Sequence, residues 1–360
     1  MKITVKKLSE LHKPAHNIRR HSEKQLTEYI RSIEMFGQVK PLVVAEDGEI
    51  IAGNGLYEAL LRKGVDAGYV VPRITEESYI PTVIDICEKE KVDVILPFIT
   101  AELPIMAENR ELLESHGVKV SISSMESILA SGNKVELAKH YPDLMPKQMI
   151  CKKPLDFFRF ADEIGYPKKP MCCKLPNRCG GLGFCIIDEE KGRDLTIYNK
   201  FGMNRYITFD MLLELAKNCH EDIIMQEYEE GLDYSMCVLA DHGRVLHALG
   251  FEGYLMAFGS AMFAGIKQNE QALAIAKQIV ADTGLDGNVC FDFILKEDGS
   301  VKLLETNPRL SASLPFIAKA GLNLPYLRCR QLLGYDVESI HPEINYKLRM
   351  SKNYESEYFV

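Results

Sequence analysis

Apolar positions recur with the period of a helix near the start of this 360-residue chain. Residues 22–36 place Leu26, Ile30, Ile33 and Phe36 three or four positions apart, the spacing of one face of an amphipathic helix. The segment begins at a serine and is followed by a glycine, residue types that are typical of helix ends. We therefore predict a helix in this segment.

The period changes to that of strands directly afterwards. Residues 41–53 contain two short apolar runs around Asp47-Gly48, a dipeptide typical of hairpin turns. A short helical segment then ends at Gly64. We therefore predict that residues 1–65 form a small α+β domain.

Helices and buried strands alternate over residues 66–125. Helical patterns cover 79–90 and 101–116, and the apolar runs "VDVILPF" and "VKVSI" follow them. This alternation indicates a parallel α/β layer, with about half the strands of a self-standing doubly wound sheet. From residue 126 onward the chain is predicted to be α+β, with an amphipathic helix over 269–284.

The strongest strand signal is a hairpin at residues 288–309, where two apolar runs flank Asp298-Gly299. If these two residues are the turn, cross-strand partners have numbers that sum to 597, and Asp292 faces Glu305. Asn307 then lies on the same face as Glu305, because strand side chains alternate.

Two carboxylates that face each other destabilise a sheet and raise one pKa of the pair. A divalent cation between Asp292 and Glu305, with the Asn307 oxygen as a further ligand, would remove this repulsion, and three oxygen ligands suit Mg²⁺. The alternative is a surface hairpin whose polar residues face water.

Two segments upstream carry groups suited to a nucleotide. Lys174 ends an apolar strand, and Gly180, Gly181 and Gly183 follow before the next strand. A glycine-rich hairpin lets backbone N–H groups approach phosphate, although glycines between strands are also simple tight turns. The acids of residues 226–233 could accept hydrogen bonds from an amine or from ribose hydroxyls, or form a solvated connection.

The net charge of −8 is spread unevenly. Residues 1–64 contain 11 Lys and Arg against 8 Asp and Glu, a net charge of +3, and the remainder carries −11. Because polyanion-binding proteins usually show a stronger basic excess, we expect contact with nucleic acid, if any, only through residues 1–65. No apolar run could span a bilayer, and no secretory signal precedes the first domain, so we expect a cytoplasmic protein with no membrane partner and with its ten cysteines reduced.

The lysine with its glycines, the acidic linker and the hairpin, in this order, resemble the ATP-grasp superfamily, and in particular its carbamoyl-phosphate-synthase-like and amino-acid-ligase-like members. The resemblance implies a partial Rossmann-like pre-grasp unit before the ATP-grasp domain. The implied ranges are 66–125 for the pre-grasp unit, 126–340 for the ATP-grasp domain with a lid at about 135–222 and a C-terminal subdomain at about 223–340, and 341–360 for a tail.

The resemblance also implies a set of nucleotide-binding residues. These are Lys134, Lys174, Gly180, Gly181, Gly183, Gln226, Glu227, Tyr228 and Asp233. Lys134 and Lys174 would contact phosphate. Glu227 and the backbone of Tyr228 would contact adenine, and Asp233 the ribose.

The same resemblance makes Asp292, Glu305 and Asn307 the Mg²⁺ ligands. Arg309 would hold the substrate carboxylate or its acyl phosphate, so that Arg309 and Lys174 are the implied catalytic residues. The implied activity is a ligation in which ATP phosphorylates a carboxylate or bicarbonate and an amine displaces the phosphate. ATP and Mg²⁺ would be the cofactors, a small-molecule carboxylate and an amine the substrates, and a homodimer is compatible with the family.

The N-terminal segments "NIRRH", "SIEMFGQVKPLVV" and "DGEIIAGNGLYEAL" resemble the ParB/sulfiredoxin-like domain. We expect this module to replace the missing pre-grasp strands and to pack on residues 66–125. The resemblance of this module to ParB/sulfiredoxin-like domains also leaves two other functions of the protein open. One is an ATP-binding regulatory or nucleic-acid-associated protein, and the other is a small-molecule kinase seated in this module.

Overall fold

The computed structural model describes most of the chain from residue 69 onward and a few positions before it. The described residues are 11, 13, 43–44, 50–52, 57, 69–175, 183–194, 205–257 and 260–352. The helix predicted over 22–36 and the turn at Asp47-Gly48 lie outside these residues, as do Gly180 and Gly181.

The chain divides into two compact units. One comprises the described residues up to Ile122 together with Arg328–Asp336, and the other comprises Ser123–Leu327 and Val337–Lys352. The division predicted from the sequence, with boundaries after residues 65, 125 and 340, stays a prediction.

Helices and strands are mixed along the described residues, which confirms the α+β class with its α/β portion. The α-helices are α1 (Tyr79–Glu90), α2 (Leu103–Glu108), α3 (Arg110–Ser115), α4 (Met125–Gly132), α5 (Lys134–His140), α6 (Pro154–Ile164), α7 (Phe209–Lys217), α8 (Glu270–Thr283), α9 (Leu314–Lys319) and α10 (Leu324–Leu332). The strands are β1 (Val43–Val44), β2 (Ile50–Ala52), β3 (Val94–Ile95), β4 (Lys119–Val120), β5 (Gln148–Cys151), β6 (Met171–Lys174), β7 (Cys185–Ile187), β8 (Tyr206–Ile207), β9 (Ile223–Glu227), β10 (Leu232–Asp241), β11 (Arg244–Ala257), β12 (Ser260–Ile266), β13 (Gly287–Leu295), β14 (Val301–Asn307) and β15 (Arg349–Ser351).

The described residues of the first unit contain two short sheets. β1 and β2 pair antiparallel, as the strand pattern predicts, and β3 and β4 pair parallel with α1 before them. The single helix predicted over 101–116 is wrong, because a 3₁₀ turn, α2 and α3 take its place. The break lies at Asn109, whose side-chain amide donates to Ile105 O at 2.8 Å and so competes with the backbone for that carbonyl.

The second unit contains a five-stranded sheet in the order β5-β9-β6-β7-β8. Helices α6 and α7 cover one of its faces, and a core that includes Phe157, Phe160, Cys173 and Met225 lies between them and the strands. Because neighbouring side chains on a strand alternate, Lys174 at the end of β6 projects from the opposite face.

The same unit contains a six-stranded sheet in the order β14-β13-β10-β11-β12-β15. Helix α8 begins after Asn269 and ends before Gly284, as predicted, and packs on one face against Met236, Phe291 and Phe293. The alternate residues of β10 and β13 project from the other face of this sheet. That face carries the acids singled out from the sequence.

Two further predictions concern membrane-spanning helices and the oxidation state of the cysteines. Within the described ranges, no helix combines the length and the apolarity needed to cross a bilayer. The cysteines among the described residues are free thiols, as expected of a reduced protein.

Candidate active site

The hairpin of β13 and β14 places Asp292 directly opposite Glu305, which confirms the predicted pair. The assumed two-residue turn is nevertheless wrong. Lys296 N–H donates to Ser300 O, so the loop has three residues, and near it Leu295 pairs with Val301. Between the loop and Asp292, Leu304 is an extra residue on β14 and forms a bulge. The bulge shifts the register by one residue, so that Asp292 pairs with Glu305 rather than with Leu304.

One of the three predicted metal ligands, Asn307, contacts the other two. Asn307 Nδ2 donates to Asp292 Oδ2 at 3.0 Å and to Glu305 Oε1 at 3.1 Å. Rotating this amide by about 180° would present its oxygen to the same position. Two carboxylates and one amide oxygen are hard ligands, so these residues fit a Mg²⁺ ion.

The two carboxylates of the pair differ in their electrostatic surroundings. Burial, followed by the charge of Glu305, raises the pKa of Asp292 to about 6. Burial also raises the pKa of Glu305, but the charge and hydrogen bond of Lys134 outweigh it and hold that pKa below its usual range. The surroundings of Glu305 therefore favour its ionised form, whereas burial beside a second carboxylate disfavours the ionised form of Asp292.

Lys134 supplies the positive charge beside Glu305. It is the first residue of α5, where the Asn133 side chain caps the helix by accepting from two backbone N–H groups. Its Nζ lies 2.6 Å from Glu305 Oε2, with 21% of the Lys134 side chain exposed. The lysine predicted to contact phosphate and an acid predicted to bind metal are thus direct neighbours.

Lys174 approaches the same group of charges from the other sheet. Burial lowers its pKa, and the positive charge of Lys134 lowers it further. Glu305 and Asp233 act in the opposite direction, which places both acids within electrostatic reach of Lys174. The two predicted lysines and two of the predicted acids therefore interact electrostatically.

The predicted phosphate loop is described only at its end. Gly183 has a φ of +73°, and a Cβ there would lie 2.8 Å from the Leu175 side chain, so no other residue fits without a shift. Gly180 and Gly181 lie outside the described residues. The role of the loop stays a prediction.

The predicted adenine contacts are already hydrogen-bonded within the protein. The side chain of Gln226 is buried and donates to Gln148 Oε1 at 3.2 Å. Glu227 Oε1 lies 3.3 Å from Lys169 Nζ, and the Tyr228 N–H donates to Pro170 O. Adenine contacts by these residues stay a prediction.

Asp233 and Arg309 both act electrostatically on Asp292. Burial raises the pKa of Asp233, while the positive charges of Arg205 and Lys174 lower it. Arg309 donates from Nη1 to Leu310 O at 2.9 Å and from Nη2 to Asn307 Oδ1 at 3.3 Å. The predicted substrate arginine therefore contacts a predicted metal ligand.

The sequence reasoning missed Ser235, which donates from Oγ to Asp292 Oδ1 at 2.6 Å. It lies on β10 directly opposite Asp292 on β13. The alternation of β10 does place Ser235 on the face of Asp233, but nothing in the sequence pairs β10 with β13, because β11, β12 and α8 lie between them in the chain.

Two family models match the chain. Residues 32–121 match the model described as PylC-like, N-terminal domain, across the boundary predicted at residue 65. Residues 219–355, which include the whole hairpin, match the model described as ATP-grasp in the biosynthetic pathway with Ter operon. The chain carries an ATP-grasp domain.

A solved structure agrees with the ATP-grasp fold. It is the biotin carboxylase domain dimer of the 2-oxoglutarate carboxylase from Hydrogenobacter thermophilus, in complex with MgADP, ADP and bicarbonate. It has a TM-score of 0.58 at 16% identity and covers 90% of this chain and 70% of that chain. At this identity the likeness concerns the fold, and it confirms the fold predicted from the sequence.

Curated relatives match different parts of the chain. The arginine-specific carbamoyl phosphate synthase large chain of Bacillus subtilis (strain 168) is 21% identical over 283 residues, 78% of this chain and 26% of that protein. The ParB-like nuclease domain-containing protein YnaK of Escherichia coli (strain K12) is 46% identical over 55 residues, 15% of this chain and 63% of YnaK. The chain thus spans about a quarter of the synthase, and the N-terminal resemblance to a ParB-like domain is confirmed.

Proposed function

We propose that the protein is an ATP- and Mg²⁺-dependent ligase that joins a carboxylate to an amine through an acyl phosphate. The observation that carries the proposal is that Asn307 contacts Asp292 and Glu305 inside the region that matches the ATP-grasp model, and that Lys134 contacts Glu305. Phosphoryl transfer needs positioning and charge stabilisation from the protein more than a covalent nucleophile. This site supplies acids for a metal and ammonium groups for phosphate.

Each group has a role in the proposed reaction. Asp292, Glu305 and Asn307 would hold Mg²⁺, which neutralises charge on a transferring phosphoryl group when bound. Lys134 and Lys174 would bind the phosphates and orient them. A carboxylate oxygen of the substrate takes the γ-phosphoryl group and ADP leaves. The amine then attacks the carboxyl carbon, phosphate leaves, and the amine loses a proton.

The carboxylate would be held by Arg309, whose guanidinium already donates to the predicted metal ligand Asn307. Residues 245–266 contain no arginine. Arg244 lies at the exposed start of β11, where its guanidinium contacts Glu338 and Asp241. Bicarbonate is one candidate carboxylate, since the biotin carboxylase domain that resembles this chain was solved with it.

Release of ADP from ATP tests the proposal. The full chain is incubated with ATP, Mg²⁺ and pools of carboxylates and amines. Release that requires one member of each pool is the expected result. Release with a single hydroxy amino acid that survives Glu305→Ala would instead indicate a kinase seated in the N-terminal module.

A second candidate is favoured by the 46% identity to YnaK. The protein would then bind ATP through the ATP-grasp domain and contact nucleic acid through residues 1–65. ATP binding without turnover, together with retention on DNA at moderate salt, would support this candidate. If the protein is not retained on DNA even at low salt, this second candidate is ruled out.

A further inference from the structure

Both oxygens of the Asp292 carboxylate are held, by groups from different strands. Ser235 Oγ donates to Oδ1 at 2.6 Å, and Cys290 Sγ lies 3.7 Å from the same oxygen. Asn307 Nδ2 donates to Oδ2 at 3.0 Å. Because Asn307 also contacts Glu305, Oδ2 is the oxygen that faces the other two predicted ligands.

Ser235 is built into the sheet. It lies directly opposite Asp292 across the β10–β13 pair, and 7% of the residue is exposed. A hydroxyl in this position has little freedom to turn elsewhere. Its hydrogen bond fixes the rotation of the carboxylate about the bond to Cβ, which a free aspartate would sample widely.

We propose that Ser235 is a positioning residue of the metal site. Its hydroxyl holds Asp292 Oδ1, so that Oδ2 is turned toward Glu305 and Asn307, where a divalent cation would bind. Hydrogen bonds that orient a metal ligand typically change metal affinity about 10–100-fold. The proposal rests on the metal site of the proposed function, but not on the identity of the ligated substrates.

The hairpin contains a matched control. At its turn, Ser300 Oγ donates to Asp298 Oδ1 at 2.6 Å, the same length as the bond from Ser235 to Asp292. Asp298 and its turn are exposed. Removing the Ser300 hydroxyl deletes a serine–aspartate hydrogen bond of the same length, and it leaves the predicted metal ligands unchanged.

Binding of Mn²⁺, followed by the electron paramagnetic resonance signal of the free ion, tests the proposal without enzyme activity. The site of interest is defined as the Mn²⁺ that Asp292→Asn no longer binds. This definition excludes ions at Asp241, His242 and Asp286, whose potential ligand atoms lie within 4.8 Å of one another. If Asp292→Asn loses no Mn²⁺, the metal site itself is wrong.

At that site we expect Ser235→Ala to bind Mn²⁺ about 10–100-fold more weakly, and Ser300→Ala to bind it like the unmodified protein. Ser235→Thr keeps a hydroxyl and should stay within about threefold, whereas Ser235→Val, of the same shape, should weaken binding at least about tenfold. The Thr and Val pair decides the question if Ser235→Ala does not fold. Equal affinities for this pair would overturn the proposal, as would a Ser235→Ala affinity equal to that of Ser300→Ala.

Discussion

The two ends of the β13–β14 hairpin contain the same kinds of residue and differ in what surrounds them. At the turn, Asp298 is exposed and accepts from its neighbour Ser300, which lowers its pKa. At the open end, Asp292 accepts from Ser235 on another strand, and burial raises its pKa to about 6. An exposed acid that accepts a hydrogen bond within its own turn is stabilised locally, whereas a buried acid opposite a second acid would be stabilised by a cation between the two.

The largest expected effect lies at the open end. Glu305→Gln should lower Mg²⁺-dependent ATP turnover about 10³-fold or more, because it removes a charged metal ligand and the partner of Lys134. ADP release by the purified variant is the measurement. Asp298→Asn, which removes an acid at the turn, should stay within about twofold. Full activity of Glu305→Gln would show that this residue is only the end of a strand.

A smaller effect is expected for the lysine that contacts the open end. Lys134→Met should weaken binding of MgADP about 10–100-fold, the range of a lost charged hydrogen bond. The control is Lys302→Met, since Lys302 lies on the same hairpin but donates to Asp143 O at an exposed position. Calorimetric titration measures the affinity of each variant for MgADP. If Lys134→Met binds MgADP as tightly as Lys302→Met does, Lys134 does not belong to the nucleotide site.

The smallest effect is expected at the turn and should appear in stability alone. Gly299 has a φ of +83°, and a Cβ there would meet no atom within 4 Å. Gly299→Ala should therefore lower the free energy of unfolding by about 1–2 kcal/mol through backbone strain. Urea denaturation measures this loss. If Gly299→Ala changed the Mg²⁺ dependence of ADP release, the turn would not be independent of the predicted metal site at the open end.

The hairpin also shows how far the sequence reaches. The pattern predicts the Asp292–Glu305 pair correctly, although it does so with a two-residue turn. The loop is one residue longer than this turn, and a bulge that the pattern does not predict compensates for the extra residue. A dipeptide such as Asp298-Gly299 suits a two-residue turn and also a three-residue loop with glycine at a positive φ, so the loop length was not determined. The bulge at Leu304 then restored the register.

Contacts between distant segments were the part the sequence could not provide. The family resemblance named Lys134 as a phosphate contact, yet its ion pair with Glu305 depends on how α5 lies beside the end of β14. Ser235 carries no charge, and the family resemblance assigns it no role. Its bond to Asp292 follows from a strand pairing that the order of the chain does not indicate.

The most direct test of the metal site is anomalous X-ray diffraction from crystals of the full chain grown with Mn²⁺ and a non-hydrolysable ATP analogue. We predict an anomalous peak between the carboxylates of Asp292 and Glu305 and beside Asn307. A peak only at Asp241, His242 and Asp286, with none between Asp292 and Glu305, would contradict the account.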